Sequence, residues 1–346
     1  GSNLTTLPKE FGNLKNLQIL TLSGNKLTSL PDEIGSLTNL QMLYLEGGNQ
    51  ITALPPEIGN MQNLQILDLK ENKLTALPPT IGNLINLQLL DLAYNKLKTV
   101  PPEIGNIEFF QELYLSGNEL VALPKEIGNL QNLQQLKLST NQLESIPPSI
   151  GDMTSLINLT ITNNKIQELP KSIGNLIYLE ELLISNNQIV DLPSTIGKLS
   201  SLQKFYASDN KIREIPPEFG DLTELQFLGL ANNQIETLPP EIDGMYNLLL
   251  FDLNYNQIKE LPPEIGKLRK LQKLELKKNK LKSIPPEIGN LDNLTKLYLQ
   301  DNQLTTLPEE ISTMSSLELI ELMNNPIPKE KQGILESYLP QAKMMF

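Results

Sequence analysis

Apolar and polar positions alternate through most of the chain in one repeating rhythm. A short alternating stretch leads to a polar turn, then to an apolar residue before proline, then to apolar residues spaced by about one helical turn. The unit from Leu87 to Ile107 shows it: Leu90-Asp91-Leu92, then Ala93-Tyr94-Asn95, then Val100-Pro101-Pro102-Glu103-Ile104-Gly105. The alternation at Leu90-Asp91-Leu92 predicts a short strand with both leucines facing inward. The asparagine after it recurs at Asn25, Asn49, Asn72, Asn95, Asn118, Asn141, Asn164, Asn187, Asn210, Asn233, Asn256, Asn279, Asn302 and Asn325. Every interval is 23 residues except the first, which is 24. Each copy supplies a strand, so the strands are expected to stack in parallel along one side. An asparagine side chain offers two donors and two acceptor lone pairs where the chain turns inward. It can bond backbone groups of its own and adjacent turns that the strands leave unpaired. These asparagines should form a ladder, and replacing one by Ala or Leu should cost about 1–3 kcal/mol.

The return path has its own punctuation. Proline follows an apolar residue once in every unit, as at Pro55, Pro78 and Pro101. Its missing N–H is not needed at the start of a helical turn. A glutamate follows within two residues in ten copies, among them Glu57, Glu103 and Glu264, where a carboxylate complements the positive end of a short helix. Glycine ends the turn in twelve of fourteen copies, which leads us to expect a position with φ > 0. Asp243-Gly244 and Ser312 depart from that rule.

The pattern L-P-x-E-I-G-N-L-x-N-L-Q-x-L-x-L-x-x-N-x-L resembles the 23-residue repeats of bacterial leucine-rich repeat proteins. It is also similar to the arrays of Ras-scaffold and ROCO-type proteins. The resemblance implies an α/β solenoid, a horseshoe or arc. Its concave parallel sheet would hold about 14 strands, with short helical or 3-10 turns on the convex side. Residues 1–2 read as a cloning remnant, 3–328 as the array of 14 strand units, and 329–346 as a C-terminal cap. In that cap Ile334, Leu335, Tyr338 and Leu339 share a helical face, and Lys343–Phe346 can add a last strand. The start enters in mid-repeat, so a longer array or a lost cap is expected before it. Phe205 and Ala207 exchange a large and a small residue at strand positions, which preserves core volume. The extra residue in Glu46-Gly47-Gly48-Asn49 suggests a bulge at the sheet's end.

Composition narrows the function. The 346 residues include no Cys, His or Trp, which excludes Ser-His triads, thiol nucleophiles and the usual zinc ligand sets. No phosphate-binding G-x-x-x-x-G-K-[ST] loop occurs, and neither an enzymatic activity nor a cofactor is expected. A formal charge of −12 argues against nucleic acid as a partner. No apolar run approaches the roughly 18–20 residues of a membrane span, so no membrane insertion is expected. A secreted or surface location and a cytoplasmic one are both compatible. Asp68 and Asp91 neighbour one another, with Glu46 and Glu71 nearby, but such a set falls short of the six to eight oxygens of a calcium site. No metal is assigned.

Aligning the units on their asparagines indexes the residues that point out of the strands. Six of nine tyrosines fall on that face, at Tyr44, Tyr94, Tyr114, Tyr206, Tyr255 and Tyr298. One expected patch joins Ile19, Met42, Tyr44, Ile66, Leu89, Tyr94 and Tyr114. A second joins Tyr206, Phe227, Leu250 and Tyr255, and a small polar ladder of Ser116, Ser139, Thr162, Ser185 and Ser208 is expected between them. Aromatic residues, Met and exposed aliphatics together resemble an interface core, so a protein or peptide ligand on the concave face is expected. The alternative is a sensing domain of a larger signalling protein, such as a GTPase or kinase. A basic patch stands out as well: Arg269, Lys270, Lys273, Lys277 and Lys278 lie in a stretch, 267–282, whose only acid is Glu275.

Overall fold

A computed structural model describes residues 2–346, which fall into two compact units, 2–166 and 167–346. Gly1, half of the expected cloning remnant, lies outside the described residues. The first unit contains seven three-residue strands: β1 (Ile19–Thr21), β2 (Met42–Tyr44), β3 (Ile66–Asp68), β4 (Leu89–Asp91), β5 (Glu112–Tyr114), β6 (Gln135–Lys137) and β7 (Asn158–Thr160). Neighbours in sequence pair in parallel and in register. The central residue of each strand is buried, as is the leucine or isoleucine that follows the strand; Leu90 and Leu92 are both fully buried. Each strand is reached through a five-residue 3-10 turn such as Pro56–Asn60 or Pro79–Asn83. Pro55, at φ −67°, precedes the first of these, and its carbonyl accepts the Ile58 N–H at 3.0 Å. Proline thus presets the backbone where its own N–H would have no partner.

The asparagine ladder forms with a regular geometry. Asn95 is buried; its Oδ1 accepts the Leu74 N–H at 3.0 Å. Its Nδ2 donates to the carbonyls of Leu69 and Leu92, each at 3.0 Å. The Leu92 carbonyl also accepts Asn118 Nδ2 at 2.9 Å, so each rung shares an acceptor with the next. The extra residue near Asn49 is absorbed after β2 ends, by Gly47 at φ 65° and Gly48 at φ 110°, rather than by a bulge within the ladder. Asn49 still reaches back to the Leu27 N–H at 2.9 Å.

The glycine that ends each turn has a different cause from the one expected. Among the described residues, positive-φ glycines are Gly24, Gly47, Gly48 and Gly117, none of which belongs to a 3-10 turn. A Cβ on Gly82 would instead stand 2.2 Å from the Glu103 carbonyl oxygen, and one on Gly59 would stand 2.5 Å from that of Thr80. At these two positions successive turns stack too closely for a side chain. The left-handed position falls one residue before each ladder asparagine, where Glu71, Tyr94 and Thr140 have φ of 56°, 57° and 58°.

The second unit repeats the plan. Its strands are β8 (Glu181–Leu183), β9 (Lys204–Tyr206), β10 (Phe227–Gly229), β11 (Leu250–Asp252), β12 (Lys273–Glu275), β13 (Lys296–Tyr298), β14 (Leu319–Glu321) and β15 (Lys343–Met345). They pair in parallel and in register. Phe205 is fully buried and meets Phe219 edge-on, with centroids 5.4 Å apart, while Ala207 leaves room. Helix α1 (Lys329–Tyr338) packs on the turn Glu309–Thr313 and buries Leu335, with Leu339 just beyond it. The chain then returns as β15 on β14.

Candidate functional site

Strand register turns single residues into columns. On the open face of the first unit Ile19 stands beside Met42, Met42 beside Ile66, and Ile66 beside Leu89. Neighbouring strands are about 4.8 Å apart, so these four side chains form one continuous apolar strip. Ile19 is exposed and the other three are half-buried. The parallel column carries Tyr44, Asp68, Asp91 and Tyr114. Tyr94 occupies the left-handed turn after β4 and is 57% exposed. Its ring lies over Gly117, where a Cβ would come within 2.6 Å of a ring carbon. The first expected patch is therefore brought together along β1–β5.

Electrostatics give that face a second character. Burial, then the neighbouring Asp91 and Glu46 carboxylates, push the Asp68 carboxyl up to about 6, against the Lys70 N–H that donates to its Oδ1 at 3.0 Å. Burial likewise raises Asp91, although it accepts the Ala93 N–H at 2.9 Å. Burial raises the Tyr114 hydroxyl too, helped by its hydrogen bond to Glu112. The Lys137 ammonium lies 4.3 Å from the Tyr114 ring centroid. Among the described residues no group of three or more acidic side chains is placed to hold a metal ion.

In the second unit Phe227 and Leu250 are register neighbours and half-buried. The Tyr206 ring covers Gly229, where a Cβ would meet a ring carbon at 2.4 Å. Tyr255, at φ 56°, is 44% exposed. Ser116, Ser139 and Thr162 belong to the first unit, and Ser185 and Ser208 to the second, where the Ser208 N–H reaches Ser185 Oγ at 3.1 Å. The basic residues fall on three parts of one repeat: Arg269 and Lys270 on the segment leading into β12, Lys273 at its start, and Lys277 and Lys278 on the turn after it. Arg269 sits 4.0 Å from Asp292, and Lys270 Nζ donates to Asn247 Oδ1 at 2.6 Å.

A second polar ladder was not anticipated. In the first unit Asn39, Asn63, Asn86 and Asn132 donate through Nδ2 to backbone carbonyls of the preceding repeat, all at 2.8 Å. Asn247 and Asn293 do the same in the second unit at 2.7 Å. The signal was in the sequence, as the asparagine of L-x-N-L. Aromatic side chains replace it at Phe109 and Tyr178, which are 50% and 61% exposed, and Ile85 and Ile177 are exposed on the same edge.

A family model described as "Leucine-rich repeat region" matches residues 44–117, 113–183 and 242–337. Two further leucine-rich repeat models match residues 15–60 and 177–235. No curated protein matches. Among solved structures, a leucine-rich repeat protein of Leptospira interrogans is 40% identical, with a TM-score of 0.86 over 99% of this chain and 93% of that one. The plant peptide hormone receptor RGFR1, in complex with RGF2, is 33% identical, with a TM-score of 0.62 over 93% of this chain. The Arabidopsis receptor kinase HAESA, in complex with the peptide hormone IDA and the co-receptor SERK1, is 28% identical, with a TM-score of 0.70 over 93% of this chain. This chain spans 61% and 60% of those two receptor chains.

Proposed function

The chain belongs to the leucine-rich repeat family, and from that premise we propose that the strand face of its first unit binds a protein or peptide partner. The observation that carries this reading is the in-register column of Ile19, Met42, Ile66 and Leu89 on the solvent side of the sheet. Strand propensity accounts for outward isoleucine but not for outward Met42 and Leu89. Tyr44, Tyr94 and Tyr114 flank the strip with rings that offer large contact area and a polar tip. The peptide-hormone complexes of RGFR1 and HAESA support a peptide as one kind of partner. The open sheet, without His or Cys, suits recognition rather than catalysis.

The test replaces Tyr44, Leu89 and Tyr94 together with Ser. None of the three is a fully buried core residue, so circular dichroism and the unfolding midpoint should change little. Affinity for a partner selected against the native protein should fall by about a hundredfold or more, as expected for central aromatic and aliphatic anchors. Unchanged affinity would remove the strand face of this unit as the binding surface.

A further inference from the structure

Cations and carboxylates on the strand face of the second unit are unevenly matched. Every acid on the rungs around β12 already has a partner. Glu275 takes the Lys273 ammonium at 2.5 Å and Asn254 Nδ2 at 2.5 Å. Asp252 accepts the Asn254 N–H at 3.0 Å. Asp301 accepts Asn324 Nδ2 at 2.7 Å, and Glu321 accepts Gln300 Nε2. Lys277, Lys278 and Lys296, by contrast, make no ion pair with any described residue. The first two rest against a π face instead, with Nζ atoms 5.8 and 5.0 Å from the Tyr255 centroid.

Lys277 and Lys278 follow one another on the turn after β12, and Lys296 stands beside Lys273 on β13, so four ammonium groups share this face in a chain with 40 acidic and 28 basic residues. Cation–π contacts hold lysines in position without neutralising them, leaving their charge for an outside carboxylate. We infer that the strand face around Tyr255, Lys277, Lys278 and Lys296 binds an acidic peptide segment, whose carboxylates meet the lysines and whose apolar side chains meet Leu250 and Tyr298. The inference rests on the strand face being the binding surface and adds the charge of the occupant. A short acidic segment fits better than a long polyanion, because the net charge of −12 repels the remainder of a nucleic acid or polysaccharide.

Selection of a random peptide display library on the intact chain provides the test, repeated with a K277Q/K278N/K296Q variant. Asparagine is chosen at 278 because it tolerates the φ of 54° found there. The expected result is enrichment of Asp- and Glu-containing peptides whose affinity falls about tenfold or more in the variant and weakens with added salt. Enriched peptides without acidic excess, or with equal affinity for the variant, overturn the acidic occupant and leave the strand-face reading standing. Equal competition by heparin or duplex DNA overturns the peptide class. Failure to enrich any peptide counts against the strand-face reading itself and removes this inference with it.

Discussion

The shared carbonyls of the asparagine ladder make its rungs energetically coupled, and the coupling can be measured. Replacing Asn95 by Ala removes the only partner that the buried Leu74 N–H has among the described residues. The Leu69 and Leu92 carbonyls lose one donor each but keep Asn72 and Asn118 respectively. One orphaned amide costs about 1–3 kcal/mol, and the two retained acceptors add less, so the single variant should lose about 2–3 kcal/mol. Removing Asn118 as well strips the Leu92 carbonyl of both side-chain donors. The double variant should therefore be less stable than the sum of the singles by about 1 kcal/mol. Asn95 and Asn141 share no acceptor, because Asn141 bonds Leu115 and Leu138, and that pair should be additive within about 0.5 kcal/mol. Urea unfolding of the three singles and two doubles, fitted with a nearest-neighbour repeat model, supplies the comparison. Equal coupling in both pairs, or none in either, would refute the shared-acceptor account.

Three further outcomes follow from the same geometry. Gly82→Ala should destabilise by about 2–3 kcal/mol, because its Cβ would overlap the Glu103 carbonyl; a loss below about 0.5 kcal/mol would show that the stacked turns can separate. Tyr94→Asn should raise the urea midpoint slightly, since asparagine accepts φ 57° with less strain than tyrosine, by up to about 1 kcal/mol. A lower midpoint would mean that the ring's contact over Gly117 outweighs the strain. Asp68 ionises with more difficulty folded, at about 6, than unfolded, near its ordinary value of 3.8, so the native state holds the extra proton between those values. Its contribution to stability is present at low pH and lost as pH rises through about 6. Asp68→Asn should thus gain on the native protein between pH 4 and pH 7, by no more than about 1 kcal/mol for a half-exposed group; a gap that narrows with rising pH would reverse the sign.

Much of the fold was legible because the repeat makes each residue type answer the same demand many times. Asparagine before the inward turn, proline before the 3-10 turn and apolar residues inside each has a local cause visible in the residue itself. Lys343–Met345 was readable as a last strand for the same reason. The turn glycines were misread because their cause is not local: Gly82 is dictated by Glu103 of the next repeat, not by its own φ. The strain at Tyr94 was hidden because its position holds glycine in some copies and Glu71, Thr140 or Asn163 in others. The outward columns could be read from strand alternation, whereas the separation of Arg269 and Lys270 from Lys273, Lys277 and Lys278 depends on where the strand begins. Phe109 and Tyr178 stand out only once the asparagines they replace are seen to bond the preceding repeat, a contact between repeats that no single unit displays.

Photo-crosslinking tests the claim of a binding strand face most directly. A photoreactive side chain is placed singly at Met42, Leu89, Ile85 or Phe109, in separate preparations mixed with a peptide selected against the native first-unit face. Met42 and Leu89 lie on the open face of the sheet, whereas Ile85 and Phe109 lie on the edge leading into the strands. The account predicts crosslinks from Met42 and Leu89 and none from the edge positions. Crosslinks confined to Ile85 and Phe109 would contradict it and move the binding surface to the exposed edge.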